Sequence, residues 1–502
     1  MATQDKHHTA GPRRAGEATT LAAVEAAELA ADLAEAPATE AQPADTEPDA
    51  AANAANATQD PRELFLSTTP TRLFFTAALP GAVSMLASAL YDVLDGVLVG
   101  QFLGPTAFAA VNLAIPFVIL LFAVGDLVGV GSSVPIAIAL GAQDDEHANN
   151  VFTCATIGIV GLGALLGAAF WFAAPAIMAA MGATGELAEM ATTFLRVYAV
   201  GAPITSMMFA VDNFLRLCGK IGNSLALNIF MACLGAVAEF SFIRFGLGVF
   251  GAALGYCVAL GVAALVGMLP FLLGRYKLRF VRPRFSGALV HQVFAAGMPA
   301  FLNNVAGRVT SVLLNAALLA QGGEDAVAVY GVLMYASGVV FPLIYGTCDS
   351  LQPAVGYNLG AGQVVRVVKL EKRIFAAAAF ISVSMAVAML LFPVQITQLF
   401  MADASEAILG LACRAFPLYA IAYFMRWLPM ATQSFYTAIE EPRPASLLSL
   451  FAVLLAPVAA LVLLQPWGLD GLWLNLTVST AASSLLSLWM LWRLRQRLRG
   501  ER

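Results

Sequence analysis

Apolar residues fall along this chain in long blocks separated by short polar joints. Runs able to cross a hydrocarbon layer, which takes about 20 residues, lie near 73–99, 106–131, 150–173, 190–211, 224–243, 249–273, 289–319, 326–353, 374–397, 408–435, 446–465 and 470–492. That pattern predicts an all-α polytopic membrane protein with twelve transmembrane helices. The first 66 residues have no such block. They are rich in Ala, Glu, Pro and Thr and nearly free of aromatics, so they cannot bury enough surface to order themselves. A disordered cytosolic tail is expected there, with only 19–35 inclined to helix. The tail lacks the apolar core and small-residue cleavage site of a signal peptide, so nothing is expected to be removed.

Landmarks recur at a constant distance. Pro80 matches Pro299 and Leu-Gly-Ala at 140–142 matches Leu-Gly-Ala at 359–361, both at a spacing of 219; Gly248 and Gly251 match Gly468 and Gly471 at 220. A steady offset over such a distance indicates an internal duplication of six helices. Because six is even, both copies insert the same way up, about a pseudo-twofold axis along the membrane normal. The expected architecture is two pseudo-symmetric six-helix lobes around a cleft: a first lobe over 67–274, a basic cytosolic joint over 275–288 containing RYKLRFVRPR, and a second lobe over 289–502 ending in a short basic tail.

Composition agrees with lipid as the main solvent: 60% of residues are hydrophobic and 12% are charged, against about 25% charged in a soluble domain. The net charge of −5 is misleading, because the tail's 12 acids and 4 bases leave the membrane body slightly basic. Nineteen Lys and Arg residues lie on the side of the N-terminus, including Arg216, Lys220, Arg366 and Arg443, while the opposite loops hold only Arg244. By the positive-inside rule both termini face the cytosol of a multi-pass cell-membrane protein. The six cysteines stand singly with no metal-ligand spacing, and they are expected to be small core hydrophobes. No metal, cofactor or nucleic-acid partner is implied, and no phosphate-binding GxxxxGK[ST] loop or nucleophile motif points to an ATP-driven pump or an enzyme.

Candidate chemistry lies where charge enters the spans: Asp92, Asp95, Asp126, Arg196 and Glu239 in the first lobe, and Arg308, Asp349, Arg414 and Arg426 in the second. A carboxylate near the bilayer centre costs roughly 2.5–3.5 kcal/mol on insertion scales, so such groups face a bundle interior or watery cavity and mark an ion or substrate path. Asp92 and Asp95 are three apart on one helix face, and like charges at that range titrate as a coupled pair. Such a pair can hold a proton in one state and an organic cation in another. Asp126, Asp349 and Arg308 are read as supporting polar residues, and the four arginines as partners of buried acids or as snorkelling residues. Pro80, inside the first span, removes a backbone hydrogen bond and is a candidate hinge. The tyrosine and methionines of YAVGAPITSMMF (198–209) are read as core or lipid-facing, some of them able to line an adaptable cavity.

SALYDVLDGVLVGQFLGPTAFAAVNLAIPF (88–117), DNFLRLCGKIGNSLAL (212–227) and DSLQPAVGYNLGAG (349–362), over twelve duplicated spans, resemble the multidrug and toxic compound extrusion (MATE) transporters. The likeness runs over essentially all of 70–495. It implies a secondary antiporter that exports amphipathic, usually cationic small molecules against proton or sodium entry, by alternating access between lobes. It also implies that Asp95, in VLDGVLVG, is the central coupling carboxylate. This chain departs from the family in three places. Asp92 stands where many members have Asn. The fifth-span Asn-x-x-x-Asp reads GAVAE, with Gly235 and Glu239, and the second lobe lacks a seventh-span Glu, having Gly307 and Arg308 nearby. Loss of an amide ligand favours a proton over sodium as coupling ion. A monomer is expected. The competing readings are sodium-coupled export and a flippase of the same superfamily for lipids or lipid-linked oligosaccharides, which would use Arg308, Arg414 and Arg426 as a basic cavity.

Overall fold

The computed structural model describes residues 61–401 and 405–499, apart from the side chains of Asp92, Pro105, Glu324, Leu498 and Arg499. A short helix α1 (Pro61–Ser67) leads into α2 (Pro70–Gly104) and α3 (Thr106–Gly141), which are separated at Gly104 by a φ of 84° that only glycine adopts without strain. Next come α4 (Asp145–Ala180), α5 (Gly185–Leu217), α6 (Ile221–Arg244) and α7 (Gly248–Leu272). The second lobe begins with the helix Gly287–Asp349, broken at Gly323 (φ 65°) into α8 (287–322) and α9 (Asp325–Gly360). It continues through α10 (Val364–Leu391), the short α11 (Pro393–Phe400), α12 (Glu406–Ala438), α13 (442–464) and α14 (Gly468–Arg499). Within α13, Phe451–Leu455 forms a turn of π-helix.

Ten of the described stretches are long and apolar enough to cross a membrane. The remaining two of the twelve predicted spans are present as helices. One is hidden because Pro442–Arg497 counts once but bends at Gln465–Trp467 into α13 and α14. The other is α8, whose Asn303, Asn304, Arg308 and Asn315 dilute its apolar character. Large apolar side chains such as Phe172 (80% exposed) and Leu399 (78% exposed) face outward, as lipid solvent requires.

The repeat is visible in the backbone. The two chain breaks, Gly104 and Gly323, repeat the spacing of 219. Gly141 packs on Tyr357 while Gly360 packs on Ile138, and 357 and 138 again differ by 219. This reciprocity is the signature of a twofold interface.

Among the described residues, the tight backbone contacts between lobes gather toward the end of the bundle that carries α1, the interlobe segment and the end of α14, called here the terminal face. A Cβ on Gly297 would run into the Leu127 carbonyl, one on Gly131 into the Val293 carbonyl, and one on Gly346 would lie 2.7 Å from the Gly81 carbonyl. One hydrophobic core runs continuously through both lobes, and in the second it extends to Leu318 and Ala326 beside the Gly323 break. The outer half of the first lobe has a separate core built from α2 to α7 alone. Among the described residues the lobes are packed together at the terminal face, and the outer core of the first lobe includes no residue of the second.

Residues 61–66, placed in the tail on composition, form α1 and belong to this closure. Phe65 is fully buried, Arg62 donates to the Gly141 carbonyl (2.9 Å), and the Phe65 carbonyl accepts from Asn358 (3.0 Å) and Arg366 (3.2 Å) of the other lobe. Phe65 supplies the apolar surface that the rest of the tail lacks. Residues 1–60 lie outside the described residues. Deleting them is expected to leave insertion and transport at the full-length level, checked by matched-expression transport; removal of α1 as well would open the seal.

The interlobe joint is not a loose tether. Its backbone N–H groups at Arg279, Val281 and Arg284 donate to Asn149 (2.7 Å), Thr153 (3.1 Å) and Asn150 (2.8 Å) of α4, which strap it to the first lobe. Four cysteines are buried as expected, but Cys233 and Cys413 are exposed, because their helix positions face out of the bundle, where lipid is an equally good solvent for a thiol.

Candidate functional site

The first lobe concentrates its chemistry between α2, α5, α6 and α7. Asp95 on α2 is half-buried and lies within hydrogen-bonding reach of Glu239 on α6, which has no exposed surface. Tyr91, one helical turn before Asp95, donates its hydroxyl to Glu239 Oε2 at 2.8 Å. The other oxygen, Oε1, is buried and receives no N–H or conventional O–H donor among the described residues. Two carboxyl groups can share a hydrogen bond only when one of them carries a proton.

Two glycines make the enclosure possible. A Cβ on Gly235 would lie 2.8 Å from Tyr91 Cε2, so the ring of Tyr91 occupies the space that any side chain at 235 would need. A Cβ on Gly255 of α7 would press on the Glu239 backbone, 2.6 Å from its nitrogen, so a bare glycine lets α7 close over the acid. The wall is aromatic. Tyr91 stacks on Tyr256 with ring centroids 4.5 Å apart and planes at 16°, and Tyr198 and Phe122 pack edge-on at 5.9–6.4 Å. A pair of acids with a π-rich wall suits a flat organic cation, through charge pairing and cation–π attraction.

The other predicted residues fall elsewhere. The Asp92 side chain lies outside the described residues; its backbone continues α2. Asp126 on α3 accepts from Asn304 of α8 across the lobe interface at 3.3 Å. Asp349 accepts from Ser434 (2.6 Å) and Gln352 (2.8 Å) near the terminal face. Both carboxyls are hydrogen-bonded. Arg308 is exposed on α8. Pro80 lies in α2 without a break in helical dihedrals, and its neighbour Gly81 abuts Gly346 and Ser350 of the second lobe, so any bend there acts on the seal.

Three of the four intramembrane arginines contact a ring, a carbonyl or a half-exposed acid. Arg196 donates to the Trp171 carbonyl and lies over that ring, Arg414 pairs with the half-exposed Asp470 at 3.0 Å, and Arg426 lies over Phe341. Arg216, read as a flanking cytosolic charge, is in fact buried and paired with Asp212 one turn earlier, and it reaches Ser350 of the other lobe at 3.3 Å. Lobe closure takes it out of water.

The MatE family model matches this chain twice, over residues 80–241 and 299–462. The chain belongs to the MatE family. The two matches start at Pro80 and Pro299, the first pair of the repeat. MatE membership makes the chain a membrane transporter rather than an enzyme. Among its relatives is the multidrug export protein MepA of Staphylococcus saprophyticus subsp. saprophyticus, 27% identical over 433 residues, which are 84% of this chain and 93% of that protein. MepA of Staphylococcus aureus strain N315 is 25% identical with the same coverage. Two solved structures share the fold. One is an outward-facing multidrug resistance MATE transporter of the MOP superfamily, with TM-score 0.80, 24% identity, and coverage of 89% of this chain and 98% of that one. The other, a MATE protein in its bent conformation, has TM-score 0.81, 24% identity, and coverage of 88% and 98%.

Sequence reasoning singled out Asp95 and Glu239 and passed over Tyr91, which donates to Glu239, and Tyr256, which stacks on Tyr91. Tyr91 carried a signal: it stands four residues before Asp95, on the same helix face. Tyr256 carried none, since its place beside Tyr91 depends on how α7 crosses α2.

Proposed function

We propose that this MatE-family chain is a multidrug exporter of the cell membrane that expels amphipathic organic cations in exchange for protons. The supporting observation is the Asp95–Glu239 pair, sealed by Gly255 and lined by Tyr91 and Tyr256. The names of the MepA relatives fit a multidrug cargo. The Lys and Arg distribution puts both termini, and hence the terminal face, in the cytosol, so the described state is closed to the cytosol and open outward.

In that state a proton from outside enters between Asp95 and Glu239, neutralises the site and releases the cation. The lobes then rock about the interface at Gly131, Gly141 and Gly297 and expose the pair to the cytosol. A new cation displaces the proton there, and the loaded site returns outward. Proton and cargo exclude one another because they neutralise the same two carboxyls, which is the competition that exchange needs. Sodium is less well served: it needs several oxygen ligands, and the family's fifth-span amide is replaced by Gly235 with a carbon edge of Tyr91 beside it.

The test is efflux of a fluorescent cation from energised vesicles. Collapsing the proton gradient with a protonophore is expected to stop export, while a sodium ionophore leaves it running. Export sustained by a sodium gradient with protons short-circuited would sink the proton reading. The flippase alternative needs a basic cavity, and it loses Arg414 to the exposed pair with Asp470.

A further inference from the structure

The second lobe contains a buried charge that the proton site does not use. Arg426 of α12 stacks over Phe341 (4.6 Å to the ring centroid) and makes one long bond to Thr480 of α14 at 3.4 Å. Its Nε is buried with no hydrogen-bond partner, and no ion pair among the described residues includes it. An arginine in a membrane interior is costly unless paired, and a cation–π contact returns only part of that cost.

Beside the guanidinium lies a cavity of about 40 Å³, well above the roughly 10–15 Å³ that admits a water molecule. Its lining is polar, with Asn303, Gln433, Ser449, Thr480 and Ser483; Asn303 and Ser483 already donate to Gln433 and to the Ser479 carbonyl, which leaves Gln433, Ser449 and Thr480 as donors. Ser449 Oγ is a second buried atom without a partner. Gln433 uses only its carbonyl oxygen, accepting from Asn303 at 2.7 Å, so its amide N–H group stays available as a donor. The lining also includes Ala452 and Val453, in the π-helical turn Phe451–Leu455. A π-turn widens a helix at a cost that recurs at functional sites.

We propose that this cavity is an anion site, which takes a chloride ion or a carboxylate group against the Arg426 guanidinium with the amide and hydroxyl donors completing its shell. A monovalent anion is the one ligand class that neutralises the charge and uses the donors together. No part of this depends on proton coupling in the first lobe, and the assay requires no transport.

The measurement is retention of radiolabelled chloride by the purified full-length protein in detergent, with a bulky aromatic sulfonate as the balancing anion. Saturable retention is expected, weakened about tenfold or more in Arg426→Gln, as loss of a charge-assisted contact implies. Arg426→Lys is expected to retain binding. Thr480→Val, which leaves the charge in place, is expected to weaken retention several-fold and serves if Arg426→Gln fails to fold. Unlabelled acetate is expected to compete.

A zwitterionic amphipathic amine and its methyl ester separate the two sources. Displacement by the acid alone assigns the site to a cargo carboxylate, and displacement by neither assigns it to a resident inorganic anion. Absence of saturable chloride and acetate binding, or wild-type retention in folded Arg426→Gln, overturns the proposal.

Discussion

Asp95→Asn is expected to abolish gradient-driven export while the protein still folds and reaches the membrane. Asn matches Asp in size, and its amide can donate to Glu239, so the α2–α6 contact survives. What disappears is a group able to take and give up a proton. Glu239→Gln is expected to have the same effect, because the proposed proton exchange uses both carboxyls. Asp92→Asn, whose position no family motif assigns to coupling, is expected to keep exporting. The comparison is efflux against pH for the three variants at matched expression. Normal export by Asp95→Asn with a dead Asp92→Asn would transfer the working role to Asp92.

The second large effect is conformational. Gly297→Leu places a side chain where the Leu127 carbonyl lies, and the helices of the terminal face cannot approach as they do. Overpacking of this kind typically costs about 1–3 kcal/mol, and a bias of that size moves a two-state equilibrium by roughly 5- to 150-fold. The variant is therefore expected to rest with the terminal face open and to lose most of its export, because the outward-open state becomes rare. Labelling of Ser350→Cys, which sits beside Arg216 and Gly81 under the seal, should rise in the Gly297→Leu background. Unchanged labelling together with normal export would show that the seal tolerates a wider gap than the backbone contacts imply.

The two lobes share a backbone but not a chemistry. The offset of 219 that pairs Gly104 with Gly323 and Gly141 with Gly360 puts Leu314 opposite Asp95 and Met207 opposite Arg426. The repeated positions are mostly small residues at breaks and close contacts, where the fold needs glycine. The ionisable positions differ because each is paid for only where a cavity or partner exists. The acids of the first lobe and the Arg426 guanidinium of the second are thus local additions to a symmetric scaffold.

Much of this was legible in one dimension. Apolar run length sets span number because every backbone group in lipid must be satisfied within its own helix, and the landmark spacing reports the duplication directly. Asp95 and Glu239 stood out because a carboxylate in an apolar block is costly wherever the block packs. Tertiary structure decided the rest. The burial of Arg216, the ordering of Phe65, the closeness of Asp95 to Glu239 and the place of Tyr256 all arise from contacts between residues more than a hundred positions apart or from lobe closure, and periodicity within one helix carries no record of which helix crosses it. The reason for Gly235 is of the same kind: along the chain it is a missing amide, and only in three dimensions is it the space that the Tyr91 ring fills.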